Sequence, residues 1–331
     1  MGPMEPFVKD DRCTTPPTLR LVLVGEVRVA EFALKGMIRA GHPPVAIVTT
    51  DIVDVRARSG MAATYYADLG ALACESGSVV RIVSDLNAEP DAISSASPDY
   101  VFVIGWPYLV REDALSIAPC IGLHPTKLPS RRGGAPLNWA ILDGETSGAV
   151  TLIRLRKGVD DGEILAQRAF PIGTDDYIGD VIDRVYTITE EVVADAVRDL
   201  AGGTARWTPQ DHRAATYTRR RRPDDGRIYW SDSATRIRSL VRAVSHPFPG
   251  AFAYLNGNVL RVWRAEIPRG YRAPLGAVPG TVLDVTSAGV LVSTMDNALL
   301  LTEVQLTDNG VVLSQENLQN ALESFRGRRV E

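Results

Sequence analysis

The chain is poor in the residues that staple a fold or give it a dominant charge. Its 331 residues include three cysteines (Cys13, Cys74, Cys120) and four histidines. Three thiols make no disulfide framework, and their spacing lacks the close pairs of a zinc site, so no metal centre is expected. Such cysteine usage suits a reducing cytoplasm. Long apolar runs are missing too. None approaches the ~20 residues of a membrane span, and no signal-peptide core lies near the N-terminus. A basic excess is also absent. Lys and Arg number 36 against 40 Asp and Glu, a net charge of −4, which argues against a general nucleic-acid binder. Finally, no Gly-rich dinucleotide fingerprint follows the first apolar run. Gly25-Glu26-Val27-Arg28 is a poor phosphate cradle, so a nicotinamide cofactor is not expected.

What is present is ordinary globular material, 45% hydrophobic and 23% charged, in a length that suffices for two domains. The apolar run at 19–25 reads as a buried strand, and those at 45–50, 79–83 and 100–104 as further strands. Helical spacing at 30–40, 61–74 and 92–97 separates them, and that alternation predicts a mostly parallel, Rossmann-like α/β sheet with helices on both faces. Ligands of such sheets bind beyond the carboxyl ends of the strands. A short helix at 138–142, a strand at 149–155 and a long helix at 177–200, stopped by Gly202-Gly203, complete this part.

The texture then changes. Residues 207–225 are polar and basic and include the run Arg219-Arg220-Arg221-Arg222, either a solvated linker face or an anion site. Short β-like runs at 251–255, 259–267, 281–285, 290–294 and 298–304, broken by Asn256-Gly257, Pro279-Gly280 and Asp296-Asn297, predict a smaller β-barrel of the OB-like kind. The expected organisation is a loose tail at 1–18, an α/β catalytic domain at 19–204, a β domain at 205–315 and a tail at 316–331. Met4 is a candidate natural start.

The chemistry concentrates in Gly122-Leu123-His124-Pro125-Thr126-Lys127-Leu128-Pro129 and the following Arg132-Gly133-Gly134-Ala135-Pro136. Gly and Pro suit neither helix nor central strand, so His124 is expected in a shaped loop at a sheet edge. A second Gly-bracketed loop, Lys157-Gly158-Val159-Asp160-Asp161-Gly162-Glu163-Ile164, supplies carboxylates. A histidine oriented by a carboxylate is a common acid–base pair; the plainer alternative is a loop histidine that caps backbone groups.

These two stretches, with Ala149-Val150-Thr151 between them, resemble the formyltetrahydrofolate-dependent formyltransferase family. That family's pattern runs Asn-x-His-x-Ser-Leu-Leu-Pro, Arg-Gly-x-x-Pro, Gly-Val-Thr and Asp-x-Gly. Arg220-Arg221-Arg222-Pro223-Asp224-Asp225, Trp230 and the stretch from Val241 to Ala251 resemble the aminoarabinose formyltransferase domain. Hydroxyornithine formyltransferases of siderophore pathways resemble this region as well. The resemblance spans roughly 19–310.

It implies a cytoplasmic, biosynthetic one-carbon transferase with N10-formyltetrahydrofolate as donor. The acceptor is an amine of a small molecule, nucleotide-linked amino sugars first, hydroxyornithine second and initiator tRNA third. His124 and Asp160 are the implied catalytic pair. Gly105, Trp106, Pro107, Tyr108, Leu109, Gly158 and Val159 are the implied folate pocket. Arg132, Gly133, Pro136, Arg220 and Arg221 are candidates for contact with the acceptor, the last two for a diphosphate. The departure is Gly122, which stands where the family has Asn. Another oxyanion or proton helper is then needed, with Gly122's own N–H, Thr126, Lys127 and Asn138 as candidates, or the acyl group differs, or catalysis is lost. The rivals are a non-catalytic folate- or nucleotide-binding protein and a formyltetrahydrofolate hydrolase. A homodimer through the C-terminal region is an open alternative with no residue pattern behind it.

Overall fold

The computed structural model describes residues 18–51, 65–308, 311–312, 322–324 and 326–330. The expected N-terminal tail up to 17, residues 61–64 of the expected helix at 61–74, and most of the expected C-terminal tail lie outside them.

The first half is a seven-stranded sheet of order β3-β2-β1-β4-β5-β7-β8. Its parallel part comprises β1 (Leu21–Val24), β2 (Ala46–Thr49), β3 (Val79–Ile82), β4 (Tyr100–Val103) and β5 (Cys120–His124). Leu21, Val22, Leu23 and Val24 are all fully buried, which explains their unbroken apolar run: a central parallel strand is covered on both faces. The strand order reverses between β1 and β4, and the cavity described below lies one strand over, at the carboxyl ends of β4 and β5. Helices α1 (Val29–Arg39), α2 (Leu69–Ser76), α3 (Asp91–Ser94) and α4 (Glu112–Leu115) connect these strands. Residues 65–68, expected to be helical, precede α2 as irregular chain that pairs Tyr66 with Val27.

β5 corrects an expectation. His124 is not in an edge loop; it ends an internal strand, flanked by β4 and by the antiparallel β7 (Ser147–Arg154). Glycine weakens a strand because it packs nothing, but at Gly122 the missing side chain is replaced by Leu155, whose Cδ2 lies 2.4 Å from where a Cβ would stand. β8 (Ile164–Pro171) closes the sheet on that side, and the sequence reading had not assigned it.

Helix α5 (Pro136–Leu142) starts with Pro at its first position, where no N–H is needed, and helix α6 (Ile178–Ala201) follows β8. Asp180 accepts the Tyr177 N–H at 2.8 Å and caps α6. Its stripe Ile178, Val181, Ile182, Val185, Val192, Val193, Val197 is buried at helical spacing.

The second half carries a six-stranded antiparallel sheet: β10 (Ala251–Leu255), β11 (Asn258–Glu266), β14 (Ala298–Asp308), β13 (Gly289–Ser293) and β12 (Val282–Thr286), with β15 (Val311–Val312) beside β14. Asn256 and Gly257 both take positive φ (54° and 80°), the conformation that a tight right-twisting hairpin requires. Helix α7 (Ala234–Val244), capped by the Ser233 hydroxyl, also escaped the sequence reading. It packs α5 against this sheet, and one apolar core runs from Leu137, Ile141 and Val185 through Ile237 and Val241 to Leu260 and Leu301. The linker between the halves doubles back. Its β9 (Tyr217–Thr218) pairs in parallel with β6 (Arg132–Gly133), strapping residues 208–220 over the His124 loop.

Candidate functional site

His124 stands at the carboxyl end of β5 with its side chain 7% exposed. Its Nε2 lies 2.7 Å from the Arg131 carbonyl oxygen, and a carbonyl only accepts, so Nε2 carries a hydrogen. Its Nδ1 faces Asp160 Oδ2 at 3.4 Å. Asp160, not its neighbour Asp161, is thus the carboxylate beside the ring. It also accepts the Gly133 N–H at 2.8 Å.

Two devices hold Asp160. Its backbone sits at φ 48°, the left-handed region that Asp tolerates better than most residues. Gln210, 6% exposed, donates through Nε2 to the carbonyls of Asp160 (2.8 Å) and Gly162 (2.7 Å) and so clamps the loop. Gly133 has φ 100°, and a Cβ there would meet the Thr218 carbonyl at 2.3 Å, so the strap requires glycine.

The pair opens into a cavity of about 490 Å³. One wall is strand: Gly122, Leu123, His124, Ile153 and Leu155. The other is loop: Trp106, Pro107, Tyr108 and Leu109 from the end of β4, with Gly158, Val159, Asp160 and Asp161. Trp106 Nε1 and Asp161 Oδ1 are buried and lack a protein partner, a donor and an acceptor in the same cavity lining. Tyr108 meets Trp106 edge-on at 5.3 Å. Lys157, Arg156 and Arg220 bring positive charge to the lining. Gly105, with φ 70°, shapes the turn before Trp106 and is not itself on the wall.

Several candidates fall elsewhere. Arg132 is 1% exposed, and its guanidinium is consumed by Gln210 Oε1 (2.8 and 3.1 Å), Tyr217 Oη (3.1 Å) and His212 Nδ1 (3.3 Å). It holds the strap rather than facing the cavity. Asn138 is buried in α5 and donates to the Ala243 carbonyl at 2.7 Å. Thr126 donates to the Ser130 carbonyl at 3.0 Å, Lys127 is exposed, and Pro136 starts α5; none lines the cavity.

The arginine run is neither a plain solvated face nor a free anion cluster. Arg219 forms two 2.7 Å bonds to Asp225, which hold that carboxyl well below the usual carboxylate range. Arg219 and Arg221 both lie over the Trp139 ring, at 5.3 and 5.0 Å. Burial pulls the Arg221 guanidinium below its ordinary value. Arg220 alone of the four reaches the cavity wall.

Three participants had escaped the sequence reading. Arg131 contributes its carbonyl to His124 and is fixed by Asp143 (2.8 Å) and Glu145 (2.6 Å). Gln210 clamps the Asp160 loop, and Leu155 covers Gly122. Arg131 was adjacent to a recognised motif, but no local signal in the sequence marks a residue used through its carbonyl. Among the described residues, no group of three or more His, Cys, Asp or Glu side chains is placed to hold a metal ion.

A histidine–carboxylate pair at the carboxyl edge of an α/β sheet, opening into a half-apolar cavity, is the machinery of an enzyme acting on small bound groups. Residues 56–197 match the family described as formyl transferase, and residues 221–321 its C-terminal domain. A methionyl-tRNA formyltransferase of Desulforamulus reducens is 30% identical over 87% of this chain and 90% of its own. The chain belongs to the formyl transferase family. Among solved structures, HypX from Aquifex aeolicus in complex with tetrahydrofolic acid superposes with a TM-score of 0.66 at 17% identity, over 94% of this chain and 49% of that one. An N-formyltransferase from Helicobacter canadensis, solved with folinic acid and dTDP-3-aminofucose, gives 0.62 at 15%, over 86% and 99%. Both share the fold.

Proposed function

We propose that this enzyme transfers a formyl group from N10-formyltetrahydrofolate to an amine of a nucleotide-linked small molecule, an amino sugar foremost. The observation that carries the reading is the His124–Asp160 pair in the wall of a cavity with apolar and orphaned polar groups together. The lining fits a pterin: Trp106 and Tyr108 offer aromatic faces, and Trp106 Nε1 and Asp161 Oδ1 offer the unpaired donor and acceptor that a buried heterocycle needs.

The pair's chemistry follows from its tautomer. With Nε2–H held by the Arg131 carbonyl, proton exchange falls to the Nδ1 edge, shared with Asp160. The acceptor nitrogen bonds to the formyl carbon, and the bond from that carbon to N10 breaks. The proton lost by the amine passes through the His124–Asp160 edge and ends on N10, so atoms and charge balance. While it holds that proton, the ring carries a positive charge that offsets the negative charge growing on the formyl oxygen.

For the acceptor, Arg220 on the cavity wall is the residue suited to a phosphate. The Helicobacter canadensis neighbour, solved with a nucleotide-linked amino sugar, supports the same class. Initiator tRNA is the second reading, favoured by the name of the Desulforamulus reducens relative. Against it stand the net charge of −4 and the engagement of Arg219 and Arg221 by Asp225 and Trp139. The test is tetrahydrofolate release from the formyl donor with nucleotide-linked amino sugars, hydroxyornithine or charged initiator tRNA, for wild type and His124→Ala. Release that needs a nucleotide-linked amine and falls at least about a hundredfold in the mutant is expected. Release driven by tRNA alone overturns the acceptor, and release without any amine makes the protein a hydrolase.

A further inference from the structure

Resting on the formyl-transfer reading, we propose that Leu155 is a positioning residue of this site, coupled to Gly122 as one packing unit. Residues 122 and 124 lie on the same side of β5, because strand side chains alternate. A side chain at 122 therefore stands next to the His124 ring, on the cavity wall. Leu155 takes that place. A Cβ on Gly122 would lie 2.4 Å from Leu155 Cδ2, 3.0 Å from Cγ and 3.4 Å from Cδ1. Its main chain is held, because its N–H donates to the Cys120 carbonyl at 2.8 Å and prolongs the β5–β7 ladder. Room for a side chain at 122 therefore has to come from a turn of the isobutyl group, which packs, like Trp106, on the cluster that includes Val103.

The consequence is chemical. Where the family pattern has an amide beside the histidine, this chain presents an isobutyl group. The wall against which the formyl carbon rests is apolar, and the developing oxyanion is supported from the His124 side. Leu155 holds the formyl group against that ring by shape, in place of a hydrogen bond, and it does so because residue 122 is glycine.

The test is a double-mutant cycle on Gly122→Ala and Leu155→Ala, with Gly122→Asn/Leu155→Ala as a gain variant. Melting temperature and folinic acid affinity are measured beside turnover. Gly122→Ala is expected to lower the melting temperature and to weaken folinic acid binding at least about tenfold. Adding Leu155→Ala restores most of both, the non-additive result expected of two residues that occupy one packing space. Leu155→Ala alone lowers kcat about tenfold with little change in the donor's KM. The Asn/Ala variant regains at least about tenfold over Leu155→Ala, in kcat, because an oxyanion donor acts in the transition state. Additive melting temperatures overturn the packing unit. An Asn/Ala variant no faster than Leu155→Ala overturns the positioning role. If wild type transfers formyl to no amine, the functional reading falls; the melting and binding cycle still decides the packing unit, and the Leu155 role falls with the reaction.

Discussion

The two walls of the cavity are built in opposite ways. The strand wall is fixed by the ladder: Gly122 faces Ile153, Leu123 faces Leu152 and His124 faces Thr151 across β5 and β7. The loop wall is held by turns and side chains, and Tyr108, Leu109 and Val159 are 50%, 77% and 57% exposed. A ladder cannot shift one residue without shifting its neighbours, whereas an exposed loop adjusts at small cost. On the proposed reading, the rigid wall carries the chemistry and the adjustable wall receives the ligand. Asp160 joins the two. It belongs to a loop, yet Gln210, Gly133 and its ring partner hold it as firmly as a strand residue.

Three substitutions sharpen this contrast. Asp160→Asn keeps the shape but removes the charge opposite Nδ1; kcat is expected to fall by at least about a hundredfold, with the donor's KM nearly unchanged. A large rise in KM with an intact kcat would move Asp160 from chemistry to binding. Arg132→Met leaves Gln210 Oε1 without its donors behind the rigid wall. A loss on the order of 2–3 kcal/mol in denaturant unfolding is expected, and unchanged stability would show that the strap holds itself. Leu109→Ala, on the adjustable wall, is expected to raise the donor's KM by about threefold and to leave kcat alone. A tenfold drop in kcat there would erase the distinction between the walls.

The sequence made the frame legible and left its fastenings hidden. The runs of β1, β2 and β4 mark themselves because strands covered on both faces are apolar at their buried positions, with polar atoms only at the half-buried ends Thr49 and Tyr100. The hairpin at Asn256-Gly257 marks itself through its turn chemistry. β5 misled because Gly122 reads as a breaker until Leu155, 33 positions away, is seen to fill its place. Helix α7 was obscured by alternating arginines, although Ser233 ahead of Ile237, Leu240 and Val241 was a usable start signal. Within the site, the juxtaposition of His124 and Asp160 was legible through their motifs, because both meet through their side chains. Arg132 was misplaced as a ligand contact because a buried guanidinium without a carboxylate partner is unusual. Its partners, Gln210 and Tyr217, come from a linker that composition alone presents as polar chain.

The apolar core shared by α5, α7 and the second sheet bears on how this protein is taken apart or recombined. Chain order suggests a cut near 205, but α5 leaves the His124 loop directly and rests on α7, with Asn138 bonded to the Ala243 carbonyl. A hybrid that exchanges the C-terminal half for that of another acceptor specificity therefore needs a matched helix at 136–142 as well. The natural seam for such an exchange runs through the His124 loop, not through the linker.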